Sequence, residues 1–300
     1  MKDRKLLEQF ERAERKALQY RKYLTGSGIV PKLKRLLFLR GKYVVHILSS
    51  LGIKDNTTAR IFFGKKMTLP VADLSASNIF LFGTLGAWES GLTKFFIKYI
   101  KVDDIFYDIG ANHGFYTFLA KEIIVNGEIH AFEPNQGVFK YLELNSANGV
   151  VRLNNKALSN ENGTVSFFDM LEAHHSGSSG LVKPVDGEYQ EKRVLTLTLD
   201  EYTKTHKPPS IMKVDVEGAE AMVIEGGEST IRKYKPTIVI EVWSGERGIK
   251  NHSRAVKLLQ SLGYRCFKID DSGSLVPINS VNFDRINQRE NFVFKNKDLR

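Results

Sequence analysis

Three hundred residues, 42% of them hydrophobic, suffice for one large α/β domain with an extension, or for two small domains, each with a real core. A single cysteine, Cys266, excludes an internal disulfide and any cysteine-based zinc cluster, and no run of 18 apolar residues is present to span a membrane. The net charge of +10 is unevenly spread: residues 1–100 hold 19 Lys/Arg against 7 Asp/Glu (+12), residues 101–300 hold 25 against 27 (−2), so no nucleic-acid groove is expected around a site in the later part.

In chain order, Leu6, Phe10, Ala13, Ala17, Tyr20 and Leu24 recur at steps of four and three and predict a helix over 3–24, too short a seam for a secure coiled coil. The charged first twenty residues do not read as a signal peptide. Residues 32–51 form a basic amphipathic segment, with Leu33, Leu36, Leu37, Val44, Ile47, Leu48 and Leu51 on one face and Lys34, Arg35, Arg40 and Lys42 among them. Packing on the core is the expected use of that face, and contact of residues 1–51 with an anionic membrane surface or a partner stays open. Residues 60–71 read as a β-hairpin turned at Gly64-Lys65-Lys66. Residues 76–100 read as mainly helical, a candidate lid that includes Trp88-Glu89, with Glu89 able to face a pocket.

From residue 101 the pattern alternates. Strands are expected at 105–109, 128–133, 150–158, 165–169, 193–198, 210–217, 237–243, 264–270 and 291–296, with helices at 114–125, 135–148, 218–226 and 253–262. Such alternation predicts an α/β fold, a mostly parallel sheet with helices on both faces, over residues 76–300, preceded by a basic helical extension with a hairpin over 1–75. In such sheets the ligand lies at the carboxyl ends of the strands, where the strand order reverses. Asp108, Glu133, Asp215 and Glu241 all fall at or near such ends.

The most informative stretch is Ile105 to Thr117, IFYDIGANHGFYT. It reads as a buried strand, a tight turn from Gly110 through Asn112 to Gly114, and a helix start. Glycines here let backbone approach a ligand closely. The spacing is G-x-x-x-G with Asp108 ahead of it, which is neither the dinucleotide fingerprint nor a phosphate-binding P-loop, and an acid at the strand end suits a cationic ligand better than a pyrophosphate. Glu133 follows 19 residues after Gly114, a spacing that lets an acid on the next strand tip accept both hydroxyls of a ribose. A ribose, an ammonium and a sulfonium without phosphate together point to S-adenosylmethionine.

The second stretch is Lys213-Val-Asp215-Val-Glu217-Gly-Ala-Glu220. In a strand, Lys213, Asp215 and Glu217 would share one face, and burying such charges is costly unless they pair or serve a ligand. The bland alternative is a structural Lys–Asp pair plus a glutamate at a helix N-terminus. The loop His174-His175-Ser-Gly-Ser-Ser179-Gly180 is polar and could close over a substrate. Its two adjacent histidines lack metal-ligand spacing, so no metal is expected, but His175 is a candidate base. His130, inside an apolar strand, reads as a core histidine.

Trp88-Glu89, Asp108-Ile-Gly-Ala-Asn112-x-Gly114, Phe132-Glu133-Pro134-Asn135, Ala157-Leu158-Ser159, Gly177-Ser-Ser-Gly180 and Lys213-VDVEGA-Glu220 together resemble the FkbM-type S-adenosylmethionine-dependent methyltransferases, over roughly residues 78–243. The resemblance implies a class I methyltransferase fold with a seven-stranded sheet whose last strand is antiparallel. It implies methyl transfer to a hydroxyl oxygen, on a sugar or another small molecule. It also implies that Asp108, Gly110, Asn112 and Gly114 hold the methionine end, that Glu133 takes the ribose, and that Asn135, Ala157 and Leu158 lie near the adenine. The family often has an apolar residue where His113 stands.

Positive charge on sulfur disappears as the methyl leaves, so alignment and a base are expected to supply catalysis. Asp215 is the first candidate base, then Glu217 and His175, with Lys213 orienting Asp215 or binding an acceptor oxygen. Two other classes stay in view: a catalytically silent module tethered through its basic arm, and a nicotinamide-dependent oxidoreductase, which the loop spacing and Asp108 disfavour. A cytoplasmic setting is expected; the oligomeric state stays open.

Overall fold

A computed structural model of the chain describes residues 2–25, 56–71, 73, 76–146, 150–170, 178–184, 187–243, 246–283 and 289–298. Of these, the residues up to Ser90 form one compact unit and those from Gly91 onward another. The sequence boundary at residue 75 falls inside the first unit.

In the first unit, α1 (Lys2–Thr25) buries Leu6 and Phe10, the Phe10 ring meeting Phe62 edge-on at 5.1 Å. The N-terminal part of the periodic face thus packs within its own unit. β1 (Asn56–Arg60) and β2 (Lys66–Pro70) form the hairpin. Its first strand lies earlier than expected. Ile61 to Phe63 fold into the turn because Ile61 N–H donates to Lys65 O and Gly64 N–H donates back to Ile61 O. α2 (Ser77–Phe82) and a 3-10 turn, Ala87–Glu89, follow. The amphipathic segment expected at 32–51 lies outside the described residues.

The second unit begins with α3 (Ser90–Tyr99) and then alternates as the sequence indicates. β3 (Ile105–Ile109), α4 (Phe115–Ile123), β4 (Glu128–Phe132), α5 (Gln136–Ser146) and β5 (Val151–Asn154) build one half of the sheet. β9 (Ile211–Val214), α7 (Glu220–Glu225), α8 (Glu228–Tyr234), β10 (Thr237–Trp243) and α9 (Glu246–Ser261) build the other. Between the halves, β6 (Ala157–Leu158), β7 (Gly163–Met170) and β8 (Tyr189–Leu197) make a separate small sheet, followed by α6 (Leu199–Tyr202). β11 (Tyr264–Ile269), β12 (Leu275–Ile278) and β13 (Arg289–Asn296) close the chain.

The large sheet has the order β12-β11-β13-β10-β9-β3-β4-β5. Five neighbouring strands, β5 to β10 in that order, run parallel, and the last strand, β13, inserts antiparallel between β10 and β11. That is the class I methyltransferase arrangement, with one addition: β12 adds an eighth, antiparallel edge strand. Central strands buried on both faces carry the core, including Ile109, Val214, Ile240 and Phe292 packed against Ala255 and Leu259 of α9.

Two expectations change. The single strand foreseen over 150–158 breaks at Asn155-Lys156, because the chain leaves the large sheet after Asn154 and Ala157-Leu158 pair with β8 instead. β9 ends at Val214, so Glu217 is not in the strand. It sits in a turn at φ 54°, with Gly218 at φ 98°, and of the expected one-faced row only Lys213 lies in the strand, with Asp215 one residue past its end. His130, by contrast, is fully buried and shares a 2.8 Å hydrogen bond with Tyr202 Oη, as a core histidine should.

Candidate functional site

The chain moves outward from β3 through β4 to β5, then returns to lay β9 on the other side of β3. The strand order reverses between β3 and β9, and the loops after these strands splay apart there to open a cleft. Its walls are the turn after β3 (Gly110, Asn112), the tip of β4 (Glu133, Pro134), the link into β6 (Lys156, Ala157, Leu158), the segment Ser179-Gly180-Leu181, and the turn after β9 (Asp215, Val216, Glu217). The space is about 610 Å³ counted out to its open mouth, solvent included.

Gly110 shows why this turn needs glycine. At φ 80° it passes so close to the next turn that a Cβ would stand 1.8 Å from the Asp215 carbonyl oxygen. Asn112 follows at φ 51°, a conformation that asparagine tolerates better than most residues. Gly114 caps α4 and packs against Leu142 of α5, away from the cleft.

Asp108 lies beneath the turn, 1% exposed. Its Oδ2 accepts from Thr117 Oγ1 at 2.6 Å, and its Oδ1 has no hydrogen-bond partner among the described residues. Burial pushes its carboxyl above the ordinary value, while Lys213, its neighbour across the β3–β9 register, pulls the other way. Glu133 accepts from Asn112 N–H at 3.0 Å and Asn135 N–H at 2.9 Å. Burial raises it to about 7 against the pull of those two amides. A buried, under-satisfied acid and a buried acid poised near neutrality on adjacent strand tips suit a cationic, hydroxyl-bearing ligand.

Asn135 is a support rather than a wall. Its Nδ2 donates to Asp169 Oδ1 at 3.0 Å, and its Oδ1 accepts from Gly137 N–H. Asp169 also accepts from Ser179 Oγ at 3.0 Å and pairs with Lys192, which ties the 178–182 segment to β7 and β8. Gly180 bridges Phe168 in both directions and lies against Val216 and Glu217.

The opposite wall is a charge network. Lys213 Nζ lies 2.8 Å from Asp215 Oδ2. Burial raises the Asp215 carboxyl, but Lys213 outweighs it and holds the group below the usual carboxylate range. Arg289, at the start of β13, donates through Nη1 to Glu217 Oε1 at 3.0 Å and to Glu241 Oε2 at 3.1 Å, and lies over the Trp243 ring. Burial raises Glu217 to about 7 despite Arg289. Holding a glutamate at positive φ costs about 1–3 kcal/mol and persists only where the surroundings impose it. Asp215, Glu217 and Glu241 offer carboxylate oxygens within 4.8 Å of one another. Arg289 already neutralises two of them, and the structure gives no reason to place a metal there.

The cleft therefore gathers Gly110, Asn112, Glu133, Ala157, Leu158, Asp215 and Glu217 from the sequence candidates, with Asp108 and Lys213 directly behind it. It is built wholly from the second unit; Glu89 belongs to the first, at the end of its 3-10 turn. His175 lies outside the described residues. Lys156, Asp169 and Arg289 were not foreseen, and Ser179 only as part of a loop able to close over a substrate; the partners of Asp169, Ser179 and Arg289 lie from 9 to 72 positions away, and spacing carries no trace of such pairs.

A family model described as the methyltransferase FkbM domain matches residues 108–266, just over half the chain. A hexuronic acid methyltransferase, AglP, of Haloferax volcanii is 28% identical over 160 residues, which are 52% of this chain and 63% of that protein, so the match spans less than two thirds of the relative. Among solved structures, a methyltransferase FkbM from Methylobacillus flagellatus aligns at 14% identity over 65% of this chain and 44% of its own, with a TM-score of 0.42. An S-adenosylmethionine-dependent O-methyltransferase from Thermotoga maritima aligns at 12% identity over 83% and 80%, with a TM-score of 0.39. With the family match covering the first glycine turn, the strand tips and the Asp215–Glu217 turn, the chain belongs to the FkbM family of S-adenosylmethionine-dependent methyltransferases.

Proposed function

We propose that this protein methylates a hydroxyl oxygen of a small molecule or of a sugar residue in a glycan, with chemistry in residues 76–300 and the basic first 75 residues as an appendage. The observation that carries the reading is the asymmetry of the cleft: acids that make no ion pair among the described residues on the β3–β4 side, and an ion-paired carboxylate, Asp215, on the β9 side. The hexuronic acid named for the relative supports a sugar-type acceptor.

S-adenosylmethionine supplies a methyl group on a positively charged sulfur. Gly110 and Asn112 hold its methionine end with Asp108 beneath the turn, Gly114 shapes that turn as the cap of α4, Glu133 takes the ribose, and Ala157 and Leu158 flank the adenine, with Asn135 acting through the amide it gives Glu133. Asp215 would take the proton of the acceptor hydroxyl, and Lys213 keeps its carboxylate ionised and oriented. A positioned base is worth roughly 10²–10⁴-fold for such a weak nucleophile. Glu217 is the second candidate base.

The test is release of S-adenosylhomocysteine from S-adenosylmethionine in the presence of hexuronic acids, neutral hexoses, an aliphatic amine and RNA in parallel, with the product examined by NMR. An O-methyl signal with a sugar is expected. Methylation of the amine or RNA alone overturns the reading.

A further inference from the structure

Behind the β9 wall lies a buried pair that the chemistry above leaves unused. Glu220, the first residue of α7, and His252 of α9 are both completely buried. Glu220 Oε1 accepts from Val216 N–H at 3.2 Å and from Gly218 N–H at 3.3 Å, so it spans Glu217, the residue held at φ 54°. Its other oxygen, Oε2, faces His252 Nδ1 at 3.2 Å, and neither atom has another partner among the described residues. The His252 ring meets Trp243 edge-on at 5.6 Å. Buried polar groups with unmet capacity are rare, and apolar residues would fill such a space more cheaply if packing were the only requirement.

What the pair touches gives it a use. The Asp215–Gly218 turn is where three parts of the cleft meet. Asp215 N–H donates to Ile109 O, and its carbonyl is the surface against which Gly110 passes. Val216 O and the Glu217 Cβ form the floor under Gly180. Displacement of this turn would move the first glycine loop and the 178–182 segment together.

We propose that His252 and Glu220 form a positioning dyad: Glu220 clamps the Val216–Gly218 turn through two backbone amides, His252 holds Glu220 in place, and the turn so fixed shapes the adenosyl cleft and aims Asp215. Neither residue touches substrate. This inference rests on the cofactor cleft described above.

The experiment is calorimetric titration of the full chain with S-adenosylhomocysteine, with thermal midpoints measured alongside, for the wild type, Glu220→Ala, Glu220→Gln, His252→Ala and the double alanine variant. Loss of both amide clamps in Glu220→Ala should weaken binding about tenfold or more, whereas Glu220→Gln, which keeps a carbonyl oxygen for the amides, should stay within about threefold of wild type. His252→Ala should weaken binding, and the double variant should be no weaker than Glu220→Ala, because His252 acts through Glu220. Unchanged affinity in both single alanine variants, whatever their midpoints, overturns the proposal. So do equal losses in Glu220→Ala and Glu220→Gln, or losses that add in the double variant. If Glu220→Ala does not fold, Glu220→Gln and His252→Ala carry the test: His252→Ala must weaken binding while Glu220→Gln keeps it. A wild type that binds no S-adenosylhomocysteine counts against the cofactor assignment instead, which separates the two failures.

Discussion

The two sides of the cleft carry the same kind of residue with different partners. On the β3–β4 side, Asp108 and Glu133 are buried with hydroxyl and amide donors, and no lysine or arginine of the described residues lies within ion-pair distance of them. On the β9–β10 side, Asp215, Glu217 and Glu241 are each met by Lys213 or Arg289. Leaving a buried carboxylate without a cation is expensive, and a site can sustain it where a cationic ligand will supply the missing charge. Neutralising the other side suits a reaction in which the positive charge vanishes, since a second uncompensated wall would stabilise the reactant cation more than the transition state. In the proposed function, the side whose carboxylates make no ion pair binds the donor and the ion-paired side serves the acceptor.

That contrast can be broken most severely at Asp215. Asp215→Asn should lower kcat by about 10²–10⁴-fold, with S-adenosylhomocysteine affinity within a few-fold of wild type; loss of binding in place of turnover would move Asp215 to the cofactor side. Next comes the contact between the two sides. Gly110→Ala places a methyl against the Asp215 carbonyl in a backbone conformation that alanine disfavours, so stability should fall by about 2–5 kcal/mol in chemical denaturation, from overpacking and left-handed strain together.

Glu133 sharpens the contrast with a smaller effect. Glu133→Ala should weaken S-adenosylhomocysteine about 10- to 100-fold through loss of charged hydrogen bonds. The wild-type affinity should climb as pH rises toward and past about 7, because the ionised form of Glu133 is the one that accepts both ribose hydroxyls, and Glu133→Gln should remove that climb. The unliganded protein should behave in the opposite sense. A carboxyl raised from 4.5 to about 7 contributes stability that is fully present below pH 4.5 and lost as pH rises through 7. A flat affinity profile from pH 6 to 8 in the wild type would contradict the poised acid.

Several of these features are local and were legible from the chain alone. The strand–turn–helix at 105–123 and the acid on the next strand tip depend on glycine placement and on apolar periodicity over a dozen residues, and they stand where expected. Others depended on distant partners. The break at Asn155-Lys156 follows from pairing of Ala157 with Thr196, and the ion pair of Glu217 comes from Arg289, 72 positions later. The short helix α6 was missed although Thr198 caps it through the Glu201 amide, because four residues leave little periodic signal beside a recognisable cap.

By itself, the sequence determined the alternating architecture, the glycine turn and the acids at the strand tips, because backbone conformation and burial pattern are written in neighbouring residues. Only the tertiary structure decided how the other acids of the β9–β10 wall would be met. Lys213, two residues from Asp215, was legible as its partner, but Arg289 reaches Glu217 and Glu241 from 72 and 48 positions away, a meeting that only the sheet order makes.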